Sequence, residues 1–159
     1  MPTEKLKFRL ELFATYWDKK PIAEIFINDK SYAKQEIDGT EDKPNIVEFE
    51  HELTEGESYK LIINRSNKDN KQTVVESDKI VKDQLLHIKS IQIDEIDIGA
   101  LVYEGVYKPE YPEPWASQQR TQGVEIPESF KNCDALGHNG TWTFAFSSPF
   151  YMWLLENLY

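Results

Sequence analysis

The stretch KLKFRLELFATYW, residues 5–17, decides the fold. Leu6, Phe8, Leu10, Leu12 and Ala14 fall on one parity, while Lys5, Lys7, Arg9 and Glu11 take the other. Successive side chains of a strand point to opposite faces, so strict alternation describes an antiparallel strand with one dry face and one wet face. The pattern recurs downstream. IAEIFIN (22–28) sets Ala23, Ile25 and Ile27 on one face, a tight turn at Asn28, Asp29 and Lys30 follows, and SYAKQEI (31–37) returns, which predicts a hairpin. IVEFEHEL (46–53) points Val47, Phe49, His51 and Leu53 inward, and YKLIIN (59–64) does the same with Tyr59, Leu61 and Ile63.

The segment NRSNKDNKQT (64–73) has no apolar residue and predicts a loop that needs no core. VVESDKIVKD (74–83) reads as a short strand or as extended loop. QLLHIKSIQIDEIDI (84–98) is strand again, but Leu86 and Ile88 share one parity and Ile91 and Ile93 the other. A bulge near Lys89 and Ser90 reconciles the phases; a strand apolar on both faces is the alternative. From Tyr103 the composition shifts. Pro109, Pro112 and Pro114 lie among Tyr103, Tyr107, Tyr111 and Trp115, predicting extended, polyproline-like chain. Asn139-Gly140 predicts a type I′ turn before the alternating Trp142, Phe144 and Phe146. The end carries helix-start chemistry, Ser148 as cap and Pro149 at the first position, with Phe150, Trp153, Leu154 and Leu158 on one face; a final strand competes.

Together these segments predict an all-β protein, an antiparallel jelly-roll-like β-sandwich with a long Pro/Tyr-rich segment and a short C-terminal helix. The 159 residues suit one domain, with 1–102 as the module-like core and 103–159 as an extended segment and a packing or docking region. A net charge of −10 would repel phosphates, so no nucleic-acid partner is expected. One cysteine, Cys133, permits no internal disulfide. No apolar run is long enough for a bilayer and no apolar segment follows the N-terminus, so neither membrane insertion nor a secretory signal is expected.

No nucleophile elbow, phosphate loop, paired-histidine zinc motif or C-x-x-C occurs, and His51, His87 and His138 are far apart. A non-enzyme is therefore expected, although a pair of catalytic carboxylates has no required spacing and keeps a hydrolase as a third reading. IQIDEIDIG (91–99) carries Asp94, Glu95 and Asp97, which offer oxygens to calcium, with Asp78 and Asp83 upstream as further donors. Neighbouring strand positions face opposite ways, so the strand must end or bulge there for Asp94 and Glu95 to act together. The plainer reading is a solvated edge whose charges deter aggregation. Tyr103, Tyr107, Tyr111 and Trp115 either stack on sugar rings or pack on the sheet or a neighbour, and Trp17, after Tyr16, is a further stacking candidate. No Lys or Arg follows Lys131. The apolar end beyond it either closes the core or docks on a partner, with Tyr111, Phe150, Trp153 and Tyr159 as the docking candidates.

YKLIINRSNKDN (59–70) and KDQLLHIKSIQID (82–94) resemble the second half of calcium-dependent xylan-binding carbohydrate modules, which are jelly-roll β-sandwiches. Leu86, Ile88, Ile91, Ile93 and Asp94, with Asp83 ahead, carry the pattern, and the likeness spans roughly residues 6–97. The loop here is longer and richer in lysine, and KDQ stands where the family has a compact Asp-Arg-Asn element. The resemblance implies the fold more than the ligands; a module of this kind here would take calcium on Asp83, Asp94 and Asp97 and stack sugars on Trp17, Tyr107 or Trp115. LGHNGTWTFAFSSPFYMWLLENL (136–158) is similar to small accessory proteins of tailed bacteriophages. The leading expectation is therefore a non-catalytic virion accessory protein, on the head surface or in the tail and assembled in the host cytoplasm. It would dock on other virion proteins or on itself through its C-terminal third and contact host-surface glycans. The alternative is a calcium-dependent carbohydrate-binding module.

Overall fold

The computed structural model describes residues 2–68, 72, 74–111, 115–131 and 135–158, with backbone alone at 100, 103 and 158. Two five-stranded antiparallel sheets pack face to face. The first has the order β11-β8-β1-β4, with β9 hanging on β8. Its strands are β1 (Thr3–Thr15), β4 (Asn45–Thr54), β8 (Leu85–Ile93), β9 (Ile96–Asp97) and β11 (Ala135–Leu136). The second has the order β10-β12-β5-β2-β3. It comprises β2 (Ile22–Ile27), β3 (Lys30–Glu36), β5 (Ser58–Ser66), β10 (Val106–Pro109) and β12 (Gly140–Ser147). A separate hairpin joins β6 (Val74–Glu76) to β7 (Lys79–Lys82), and α1 (Trp115–Thr121) and α2 (Phe150–Leu158) complete the fold.

The alternating strands supply the core as their parity demands. Leu6, Phe8, Leu10 and Leu12 from β1 meet Ile25, Leu61, Ile63, Trp142, Phe144 and Phe146 from the opposite sheet, all buried. The Phe8 and Phe146 rings touch across the sandwich at 6.0 Å. The phase slip in β8 is a bulge: Glu11 pairs with Ser90 and Leu12 with Ile88, so Lys89 is the extra residue and both halves of β8 keep their isoleucines inward. The ambiguous 74–83 stretch is the β6–β7 hairpin, turned by Ser77 and Asp78 in left-handed conformations.

Four expectations are corrected. Residues 64–66 extend β5, and Arg65 points into the core, because its guanidinium finds carbonyl acceptors there. Asn139 and Gly140 form no type I′ turn; neither has positive φ. Gly140 instead opens β12 so close beneath β10 that a Cβ would collide with the Lys108 carbonyl oxygen and lie 2.8 Å from Pro109 Cα. The segment after residue 102 is not one extended run: Gly99–Glu104 forms a 3-10 helix, Val106–Pro109 is a paired strand and Trp115 starts α1. The C-terminus is helical, but Glu4 caps it rather than Ser148. The Glu4 carboxylate accepts from the Phe150 N–H at 2.8 Å and from the Ser148 hydroxyl.

The acids of IQIDEIDIG sit at a turn. Asp94 and Glu95 both have positive φ, 53° and 68°, and join β8 to β9 as the two central residues of a tight hairpin. This geometry suits the twist of the strands and is the one that Asn-Gly usually serves.

Candidate functional site

One end of the sandwich gathers the end of β1, the 16–21 loop, the end of β5 with residues 67, 68 and 72, the start of β8 and residues 136–139. Polar side chains with far-separated sequence positions tie it together. Arg65 is fully buried and donates through Nε to the Leu136 carbonyl at 3.2 Å, through Nη2 to the Gln84 carbonyl at 2.6 Å and through Nη1 to Asn139 Oδ1 at 3.0 Å. Burial, ahead of the favourable charges of Tyr107 and Asp83, pulls its pKa down to about 10. Lys68 Nζ donates to Asp83 Oδ1 at 2.8 Å and to the Gly137 carbonyl. Asn139 holds the Lys68 backbone both ways, accepting from its N–H at 2.9 Å and donating to its carbonyl at 2.8 Å. Gln84, also buried, donates to the carbonyls of Lys19 and Asn67. Buried Gln72 accepts from the Lys19 N–H and donates to Asp18.

Two indoles flank this hub. Trp17 is 44% exposed, yet its Nε1 donates to the Gln72 carbonyl at 2.8 Å and the Lys82 ammonium lies 4.6 Å from its ring centroid. Beside it Tyr16, also exposed, carries Lys20 over its ring at 5.9 Å. On the other side Trp115 is 41% exposed, stacks with His138 at 6.3 Å and leans on Tyr111 at 5.8 Å. His138 is half-buried, and desolvation, then the charges of Lys68 and Arg65, hold its pKa below the usual imidazole range. Tyr111 is tied down by its hydroxyl, which donates to the Pro127 carbonyl at 2.6 Å. An indole pinned by a hydrogen bond or a ring partner loses little freedom when a ligand lands on it.

Of the three stacking candidates, Trp17 and Trp115 reach this end with open faces, and Tyr107 does not. Tyr107 is 2% exposed, and its hydroxyl bonds the backbone of His138, donating to the carbonyl and accepting from the N–H. The inward parity it shares with β10's partner, Trp142, explains the burial. The hub itself was partly legible. Arg65 continues the parity of Tyr59, Leu61 and Ile63, and Gln84 that of Leu86 and Ile88. Gln72 and Asn139 carried no such signal, because contacts across more than fifty residues place them.

The three calcium candidates do not converge. Asp83 and Asp94 flank the nine residues of β8, a rise of about 30 Å at the usual spacing. Asp83 Oδ1 accepts from Lys68 Nζ and from the Gln84 N–H. Asp94 accepts from the Tyr151 hydroxyl, and Asp97 from the Gly99 N–H at 2.7 Å. The Asp94 contact pushes the exposed Tyr151 hydroxyl up to about 12. Among the described residues no three His, Cys, Asp or Glu side chains group to hold a metal. Calcium wants six to eight oxygens, several of them carboxylate. At Asp83 an ammonium already sits on the carboxylate and a buried guanidinium stands nearby, so the described residues do not fit the ion that the resemblance implies.

The docking set is also redistributed. Phe150 is fully buried against Phe146, and Trp153 is half-buried, edge-on to Phe144 at 5.5 Å, so both close the core. Tyr111 belongs to the Trp115 cluster, and Tyr159 lies outside the described residues. Cys133 lies outside them too. α2 shows Tyr151, Met152 and Leu155 to solvent instead.

No protein-family model and no curated protein matches the chain. Two solved structures are similar to it. One is the selenomethionine form of vCBM60, described with circular permutation as an evolutionary link between two families of calcium-dependent carbohydrate binding modules. It shares 6% identity over 87% of this chain and 89% of its own, at a TM-score of 0.47. The other is vCBM60 in complex with galactobiose, with 7% identity, 87% and 96% coverage and a TM-score of 0.49. Likeness at this level assigns no residue a role, and neither structure bears on a head or tail role in a virion.

Proposed function

We propose that this protein is a non-catalytic carbohydrate-binding module that takes its ligand across the loop end, between Trp17 and the Tyr111–Trp115 pair. One observation carries the reading: two exposed indoles, each fixed from behind, flank one buried polar hub. Sugar rings present flat C–H faces to such aromatics, and the hub's rigidity lowers the cost of ordering the site on binding. Hydroxyl donors and acceptors are at hand in Asp18, Lys20 and His138 along the rim. No metal takes part, since the Lys68 ammonium serves where a cation would bridge Asp83 to the 137 carbonyl.

Affinity electrophoresis against a panel of plant and microbial polysaccharides tests the proposal. Retardation by at least one glycan, lost in Trp17→Ala and reduced in Trp115→Ala, is expected. Mobility indifferent to every glycan, or turnover of a bound glycan, overturns it.

A further inference from the structure

The chain carries −10 net charge, yet the proposed glycan face is built around cations. Arg65 and Lys68 both belong to the hub, and Asp83 is the carboxylate whose charge both of them feel. Arg65 donates to neutral acceptors, two carbonyls and an amide oxygen. Desolvation is the main cause of the lowered pKa of His138, and the Lys68 and Arg65 charges add to it against Asp83. At the rim, Lys20 reaches Asp38 only at 3.9 Å, and Asp18 is engaged by the Gln72 amide. Lys82 is exposed, lies over the Trp17 ring and makes no ion pair among the described residues. By contrast, the lysines on the outer face of β1 are paired: Lys5 with Glu50 at 3.0 Å and Lys7 with Glu48 at 3.4 Å.

An ammonium resting on an indole is a two-part receptor. The ring offers a stacking face, and the cation can leave that ring for a negative group at the ligand's edge without breaking a salt bridge. On a chain that is acidic as a whole, the Lys20 and Lys82 ammoniums beside the exposed rings offer an approaching polyanion cations to meet at this end. We infer that the ligand is an acidic, uronate-bearing polysaccharide, with a sugar ring on Trp17 and its carboxylate on Lys82. The inference rests on the module reading above and names its ligand class.

The test compares polygalacturonate with a neutral galactan by calorimetry, using the wild type, Lys82→Met, which keeps the stem but not the charge, and Lys60→Met. Lys60 is exposed on β5, away from the loop end, and controls for net charge. Polygalacturonate should bind about 10-fold tighter than galactan at about 50 mM NaCl, and the preference should shrink several-fold at about 500 mM. Lys82→Met should weaken polygalacturonate roughly 2- to 5-fold, the range of an exposed ion pair, and leave galactan and the fold unchanged; Lys60→Met should change neither. Equal, salt-insensitive binding of both glycans overturns the acidic ligand while the module reading stands. Binding of neither overturns the acidic ligand, and the module reading falls with it only if every other glycan of the panel also fails to bind. A sulfated polysaccharide or a single-stranded oligonucleotide bound as tightly as polygalacturonate overturns the uronate assignment.

Discussion

Arg65 is the residue on which the loop end depends. Replacing it with methionine keeps most of the buried volume but takes the guanidinium away from the Leu136 and Gln84 carbonyls and leaves Asn139 Oδ1 with the Lys68 N–H alone. Buried acceptors left unpaired are expensive, so Arg65→Met should lose about 3 kcal/mol of stability, read as a lower urea midpoint with an unchanged slope. His138 adds a pH dependence. Its folded pKa lies below the ordinary 6.5, chiefly from desolvation and then from Lys68 and Arg65. The unfolded chain therefore binds the proton first. Stability is complete above about pH 6.5 and is lost as pH falls from there toward the folded value. His51 is lowered too, by burial and Lys30, and acts in the same direction. Thermal melts between pH 7.5 and 5 should show the loss, and it should shrink in His138→Phe. The inward direction of Arg65 could be read from β5's parity, but its neutral partners could not, because they come from residues 84, 136 and 139.

At the scale of elements, the strands followed from alternation and the turns did not always follow from their residues. Asn139-Gly140 has the composition of a hairpin turn, yet Asn139 is spent as a side-chain bridge to Lys68 and Arg65, and Gly140 is required by the close approach of β10. Gly140→Ala should therefore open the β10–β12 pairing and cost about 2 kcal/mol or more, visible as faster amide exchange in Val106–Pro109. The turn that does need left-handed residues, Asp94-Glu95, contains no glycine. Glu95→Gly should relieve that conformation and raise stability by about 0.5–1 kcal/mol, measured by the same urea titration. Tertiary closeness in one case and local backbone geometry in the other decided what each dipeptide does.

For the molecule as a whole, the two ends of the sandwich divide the chemistry. The hub, the indoles and the cations share the loop end, while Asp94, Asp97 and α2 belong to the other, across the length of β8. Since Lys68 already bridges Asp83 to the Gly137 carbonyl, the melting temperature should be the same with added calcium and with chelator. Lys68→Met should lower it by several degrees in both conditions, followed by differential scanning fluorimetry. A rise with calcium in the wild type would show a metal site that Lys68 does not replace.

The amino-acid order by itself determined which side chains face inward, since strand parity is a local property: Leu6 to Leu12, Ile25, Leu61, Ile63 and the Trp142–Phe146 run all lie where alternation puts them. It also marked the bulge at Lys89 through the change of phase. Only the tertiary structure decided which strand ends meet. That choice separated Asp83 from Asp94, buried Tyr107 and Phe150, left Trp17 and Trp115 open, and set an ammonium on Asp83. The physical reason is range. Parity is written in neighbouring residues, whereas the loop end is assembled from hydrogen bonds between positions up to 74 residues apart, which no local pattern encodes.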